Sequence, residues 1–234
     1  MPNWCSSSII IKSKKGNEKE VQRLHQAISL AYSTPSEIEN SFELGWLGKI
    51  AASHSLNWED VPCRGTIIEF DDEVHTGNFE DEGEFSYFRV DTESAWSPMT
   101  ELWEAIVEQY DGVSFVYVAE EAGNGIFINS DATGLFFCDR YVLEICCNTM
   151  SVVPNDWAFD GIEKPAGDEN GLADLDIREF FDSFESLKDF FTKLTGKEFD
   201  CHTEMAEYLD GIAIDADGVK NAYFMASVNE FTLE

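Results

Sequence analysis

Residues 97–119 read SPMTELWEAIVEQYDGVSFVYVA, and this stretch decides the fold. Ser97–Pro98 is a helix start, with Ser as the cap and Pro at the first helical position, where its missing N–H costs nothing. Met99, Leu102, Trp103, Ile106, Val107 and Tyr110 then recur at helical spacing and define one apolar face. Val113–Ala119 is rich in β-branched and aromatic residues and reads as a strand. A helix is thus followed at once by a strand.

Working back towards the N-terminus, Phe85–Asp91 and Gly65–Asp71 are strand candidates joined by an acidic connection, which predicts a hairpin with a long charged loop. Residues 34–64 are irregular, with an apolar patch at Phe42, Leu44, Trp46, Leu47 and Ile50 that suggests a short helix within an insertion. Asn17 with Glu20 has capping-box spacing. Val21, Leu24, Ile28, Ala31 and Tyr32 give the helix that follows one apolar face, and Ser8–Ser13 is a short buried strand before it. Strand, helix, strand, strand, helix, strand is the order of a ferredoxin-like β-α-β-β-α-β sandwich, an α+β fold.

Towards the C-terminus, Gly123–Asn124–Gly125 is a turn signal and Ile126–Asn129 a returning strand. Gly134–Cys138 and Tyr141–Cys147 read as a further hairpin that would extend the antiparallel sheet. Residues 148–173 show little periodicity and read as a linker or loop. Asp176 with Glu179 would cap a helix bearing Ile177, Phe180, Phe181, Phe184, Leu187, Phe191 and Leu194, stopped at Gly196. Thr203–Leu209 reads as a short helix and Ala222–Leu233 as a last strand. The expected organisation is a ferredoxin-like domain at 1–150 and an acidic α-rich C-terminal region at 151–234.

The 234 residues include 46 Asp or Glu against 15 Lys or Arg, a formal net charge of −31. With 44% hydrophobic and 13% aromatic residues, the chain is a folded protein and not an acidic disordered one. Direct binding of nucleic acid or of an anionic membrane is disfavoured, because both require clustered Lys and Arg. A basic partner protein, cation binding or simple solubility fits the charge. The acidity spares the N-terminal edge, where Lys12, Lys14, Lys15, Lys19 and Arg23 outnumber Glu18 and Glu20. The first residues hold no apolar run of signal-peptide length, and no window approaches the ~20 apolar residues of a membrane helix, so a cytoplasmic location is expected. The six cysteines contain no CxxC pair and read as reduced thiols.

The opening Met1-Pro2-Asn3-Trp4-Cys5, followed by serines and an apolar strand, resembles a group of phage, plasmid and integrative-element proteins that carry a YubB-type ferredoxin-like domain. A second block is similar as well: Trp96-Ser97-Pro98, the helix with Trp103 and Tyr110, the strand with Phe115 and Tyr117, and Glu121-Ala122-Gly123. Asp111 stands where that family often has proline. The resemblance implies the ferredoxin-like fold and a mobile-element origin, and supplies no catalytic residues.

Motifs for chemistry are weak. Asp215–Gly218 resembles part of an EF-hand loop, but Ala213 and Phe224 would occupy the first and twelfth loop positions, where oxygen ligands are needed. Cys138, Cys146, Cys147, Cys201 and His202 lack the paired spacing of a zinc site; Cys138 and Cys146 read as thiols on facing strands. No GxSxG, HExxH or phosphate-binding glycine loop is present, and no cofactor or enzymatic activity is expected.

Charge runs are usually solvated faces. The sharper alternative is that carboxylates imitate the phosphates of DNA to occupy a basic, nucleic-acid-binding host protein. The first candidate set is Asp71, Asp72, Glu73, Glu80, Asp81, Glu82 and Glu84. The second is Asp174, Asp176, Glu179, Asp182, Glu185 and Asp189, of which Asp182, Glu185 and Asp189 would share one side of a helix. The competing expectation is a small-ligand or divalent-cation module with a pocket near Trp4 and Trp96, and an enzyme of unknown class ranks third.

Overall fold

The structure, a computed structural model, describes residues 3–34, 45–79, 83–159, 175–216, 218–219 and 222–233. The chain is α+β with antiparallel sheets and divides into two compact units, Met1–Ala132 with Leu233–Glu234, and Thr133–Thr232.

In the first unit the elements run β1 (Trp4–Ser13), α1 (Glu18–Ser33), α2 (Leu47–Ser53), β2 (Gly65–Phe70), β3 (His75–Phe79), β4 (Gly83–Ala95), α3 (Thr100–Val107), β5 (Val113–Glu121) and β6 (Ile126–Asn129). The sheet order is β2-β4-β1-β5-β6, with β3 also paired to β4, and every pairing is antiparallel. β1 is central because its odd positions Cys5, Ile9 and Ile11 are apolar and fully or almost fully buried. They meet Val21, Leu24 and Ile28 of α1, Leu102, Trp103 and Ile106 of α3, Phe88 and Val90 of β4, and Tyr117 of β5 in one core. Period 2 on the strands and period 3.6 on the helices thus select one covered sheet face.

The second unit comprises β7 (Tyr141–Cys147), β8 (Leu175–Phe181), α4 (Phe184–Thr195), α5 (His202–Ala216) and β9 (Phe224–Glu230). Its sheet order is β8-β7-β9. Leu143, Ile145 and Cys147 pack with Leu187, Phe191 and Leu194 of α4 and Met205 and Leu209 of α5. Ser183 caps α4, its side chain accepting from the Ser186 N–H, and Gly196 closes it at φ +69.

Several expectations are corrected. Tyr141–Cys147 does not extend the first sheet; it is the centre of the second, and 134–138 is not a strand. Residues 133–150 therefore belong to the second unit, and the boundary falls at Ala132/Thr133, not near 150. Residues 175–181 are a strand, not the start of a helix. The spacing of Ile177, Phe180, Phe181 and Phe184 fits either period, and pairing with β7 decides it. The region after 150 thus contributes two strands as well as two helices. The acidic connection after β2 contains β3 and is not a plain loop. α3 begins at Thr100 and its capping position is Met99, so Ser97 is not the cap. Asn17 makes no side-chain cap bond to α1; its amide donates to the Asp111 carbonyl at 2.9 Å. Cys138 is exposed and lies on no strand, so it does not face Cys146.

Candidate functional site

The two tryptophans singled out in the sequence are brought together. β1 opens at Trp4, which pairs with Ala95 at the end of β4. The next residue, Trp96, donates its N–H to the Asn3 carbonyl at 2.9 Å. Trp96 sits at φ +76, a left-handed conformation that strains a bulky side chain by about 1–3 kcal/mol. Ser94, fully buried, ties the following turn by donating its hydroxyl to the Ser97 carbonyl at 2.8 Å. Despite this anchoring, Trp4 is 54% and Trp96 47% exposed. These are large aromatic surfaces left in water on a fixed backbone.

The Glu121-Ala122-Gly123 turn closes on the same end. The buried Glu121 carboxylate accepts from the N–H groups of Gly123 at 2.8 Å and Asn124 at 2.7 Å. A Cβ on residue 123 would lie 2.2 Å from Asn3 Nδ2, so any other residue there would have to displace the Asn3 side chain. Cys5, next to Trp4, is buried; burial pushes its thiol up, and the neighbouring Glu121 adds to the effect. A hollow of about 290 Å³ lies beside this end, lined by Pro62, Ser97, Pro98, Met99, Tyr117 and Ile128 among others.

The helix-free face of the first sheet carries the even positions of β1 and can be read in cross-strand rows. Beyond Trp4, Thr66, Glu93, Ser6, Glu120 and Phe127 form one row. Glu69, Asp91, Ser8, Val118 and Asn129 form the next. Then come Arg89, Ile10 and Val116, and finally His75, Tyr87, Lys12 and Ser114. Arg89 Nε donates to Asp91 Oδ1 at 2.8 Å, and the Ser8 hydroxyl donates to the same oxygen. A shallow hollow of about 280 Å³ opens here, bordered by Ser6, Ser8, Ile68, Arg89, Asp91 and Glu120 among others.

The sequence-selected carboxylates are dispersed. Asp71 is committed to the fold: Oδ2 accepts from the Arg89 N–H at 2.7 Å and pairs with His75 at 3.2 Å, while its carbonyl accepts from His25 Nε2 at 2.8 Å. Asp72 and Glu73 are exposed between β2 and β3, and Glu84 is exposed opposite Asn78. Glu80, Asp81, Glu82 and Asp174 lie outside the described residues. Asp176 and Glu179 are exposed on opposite faces of β8, since Asp176 faces Cys146 and Glu179 faces the core residue Leu143. Asp182 precedes α4 and is not on it, so the expected helical stripe retains only Glu185 and Asp189. The Ser186 and Ser183 hydroxyls donate to Asp182 at 2.7 and 3.0 Å and hold its carboxyl below its ordinary range.

Other titratable groups serve the fold. His54 is buried, donates from Nδ1 to the Ile50 carbonyl at 2.9 Å, and leaves Nε2 with no hydrogen-bond partner. Burial pushes its pKa down. Lys49 is buried and donates to the Thr34 carbonyl, and burial lowers its pKa too. Among the described residues no group of three His, Cys, Asp or Glu is placed to hold a metal ion. None of their helices is long and apolar enough to cross a membrane.

The sequence did not show that Glu93, Ser6 and Glu120 share one cross-strand row. The strand carrying Glu93 was expected to stop at Asp91, and the continuing alternation Asp91, Glu93, Ala95 was the signal that it does not. No protein-family model, curated protein or solved structure matches the chain.

Proposed function

We propose that the protein is a non-enzymatic binding protein whose acidic surface engages a basic partner protein, standing in for the nucleic acid which that partner holds. One observation carries the reading: carboxylates outnumber cations 46 to 15 in a chain that folds, and Asp72, Glu73, Glu84, Asp176, Glu179, Glu185 and Asp189 all stand exposed. The β2-β4-β1-β5 order, with α1 and α3 on one face, supports a ferredoxin-like sandwich extended by β3 and β6. A phage or mobile-element origin rests on the sequence resemblance. The test is capture of proteins from bacterial lysate on the immobilised chain across a salt gradient. Basic proteins are expected at low ionic strength and lost above about 0.3 M salt, where the Debye length falls to a few ångströms. Recovery of no basic protein at low salt contradicts the reading.

A second reading, a small-ligand module, is favoured by the 290 Å³ hollow beside Ser97 and Pro98. Its test is a thermal-shift screen against small apolar ligands, and a shift abolished by Met99→Trp, which fills the hollow, would support it.

A further inference from the structure

We infer that the end of α2 at His54 is an acid-operated latch: it holds α2 on the first core near neutrality and releases it, ahead of the rest of that unit, once the ring takes up a proton. His54 is only 6% exposed. Its Nδ1 stands 2.9 Å from the Ile50 carbonyl, which can only accept, so Nδ1 carries the proton and Nε2 the lone pair. The Ser53 hydroxyl donates to the same carbonyl at 2.7 Å. Nε2 is buried and has no hydrogen-bond partner. A second proton would therefore place a cation in the core with an N–H that nothing accepts. The same residue ties α2 to the chain that follows α3. Its ring packs edge-on against Tyr110 at 6.0 Å between centroids, and its carbonyl accepts from Gln109 Nε2 at 3.1 Å.

The titratable groups on the surrounding elements do not offset that charge. Burial raises the pKa of Tyr110, so it stays neutral. Arg23 of α1 lies over the Tyr110 ring at 4.6 Å and pairs with Glu20 at 3.0 Å. Glu104 of α3, Glu108 after it, Glu69 of β2, and Glu59 and Asp60 further along the chain are exposed. On α2 itself, Lys49 is buried and donates to the Thr34 carbonyl. Burial lowers its pKa as it does that of His54. Both groups are basic and depressed in the folded state, so each favours the released helix as pH falls, His54 below its ordinary value of about 6.5 and Lys49 below about 10.4. α2 is the element that yields. It has seven residues, too few to persist alone, and lies outside the β1–β4 and β1–β5 ladders. Its release bares Leu47, Ile50 and Ala51.

The experiment is amide exchange of the full chain at pH 7 and pH 5, read by mass spectrometry and corrected for the intrinsic pH dependence of exchange. Protection over residues 46–56 is expected to fall about ten- to thirty-fold at pH 5, the upper figure being full proton linkage to a group whose ordinary pKa is about 6.5. β1, β4 and β5 are expected to remain at least about ten-fold better protected than 46–56 at pH 5. In His54→Phe the fall over 46–56 is expected to be less than about two-fold. His54→Gln, which keeps a polar side chain but takes up no proton, should behave alike and guards against a folding defect in the first variant. No fall in the wild-type chain overturns the latch. An equal fall in the wild type and both variants overturns His54 as its trigger. Equal protection of 46–56 and the three strands at pH 5 shows one cooperative opening and overturns release ahead of the rest.

Discussion

The two units use one device, an antiparallel sheet with helices on a single face, and treat the other face differently. In the second unit, Glu144 at the centre of the sheet pairs with Arg178 at 3.3 Å and accepts from the Ser227 hydroxyl at 3.4 Å. Arg178 also lies 5.3 Å from the centroid of Phe180. The hollow there, about 420 Å³, is larger than either hollow described in the first unit, and Asp176 adds a second carboxylate to its lining. In the first unit the ion pair Arg89–Asp91 is flanked by Glu93 and Glu120 towards one end and Lys12 towards the other. Each helix-free face therefore holds a cross-strand or same-strand ion pair with further carboxylates beside it, and the units differ in which strands supply them.

The largest expected effects concern the covered faces. Trp103→Ala in the first core and Phe191→Ala in the second remove fully or almost fully buried side chains. Each is expected to cost about 3–5 kcal/mol. Amide exchange should accelerate in β1, β4 and β5 for the first variant and in β7, β8 and β9 for the second. Exchange that changes equally in all six strands for either variant would remove the distinction between two cores.

The units should also differ in their response to acid. The pKa of His54 is depressed in the folded state by burial, so below the unfolded value of about 6.5 the unfolded chain binds a proton that the folded chain resists. Stability of the first unit is expected to fall as pH drops from 7 to 5, and His54→Phe should flatten that fall in urea titrations. Asp182 behaves in the depressed-carboxylate sense: its contribution is present above the unfolded carboxyl pKa of about 4 and lost below it. Asp182→Asn should therefore alter the second unit near neutrality and have little effect in strong acid.

Smaller effects sharpen the contrast between caps and strain. Ser183→Ala, which removes the α4 cap, is expected to cost about 1 kcal/mol. Trp96→Gly should do the opposite, raising stability by about 1 kcal/mol as the φ +76 strain is released, measured as a higher urea midpoint. A fall in that midpoint would mean that the Trp96 ring holds the sheet end together by packing.

Much of this architecture is legible in the residues. Strong patterning located α1, α3 and β5, loose alternation pointed to β9, and Gly196 marked a helix end where its φ of +69 favours glycine. What failed were choices between long-range partners. Tyr141–Cys147 is apolar except for Glu144, so its pattern says strand without saying which sheet, and only pairing with β8 and β9 settles it. Residues 175–184 carry apolar spacing compatible with helix and strand alike. For the site, Trp4 and Trp96 were identified as special, but their adjacency depends on the β1–β4 register. Selecting carboxylates by local density pointed to Asp71, whose bonds hold β2 to β4, and passed over Glu93 and Glu120, which become neighbours only across strands.

The most direct test of the central claim is a chemical-shift map of the isotope-labelled chain titrated with nona-arginine at low salt. The account predicts concentration-dependent shifts at the exposed carboxylates, Asp72, Glu73, Glu84, Asp176, Glu179, Glu185 and Asp189 among them, that collapse when the salt is raised. Shifts absent from these residues, or unchanged when the salt is raised, would contradict it.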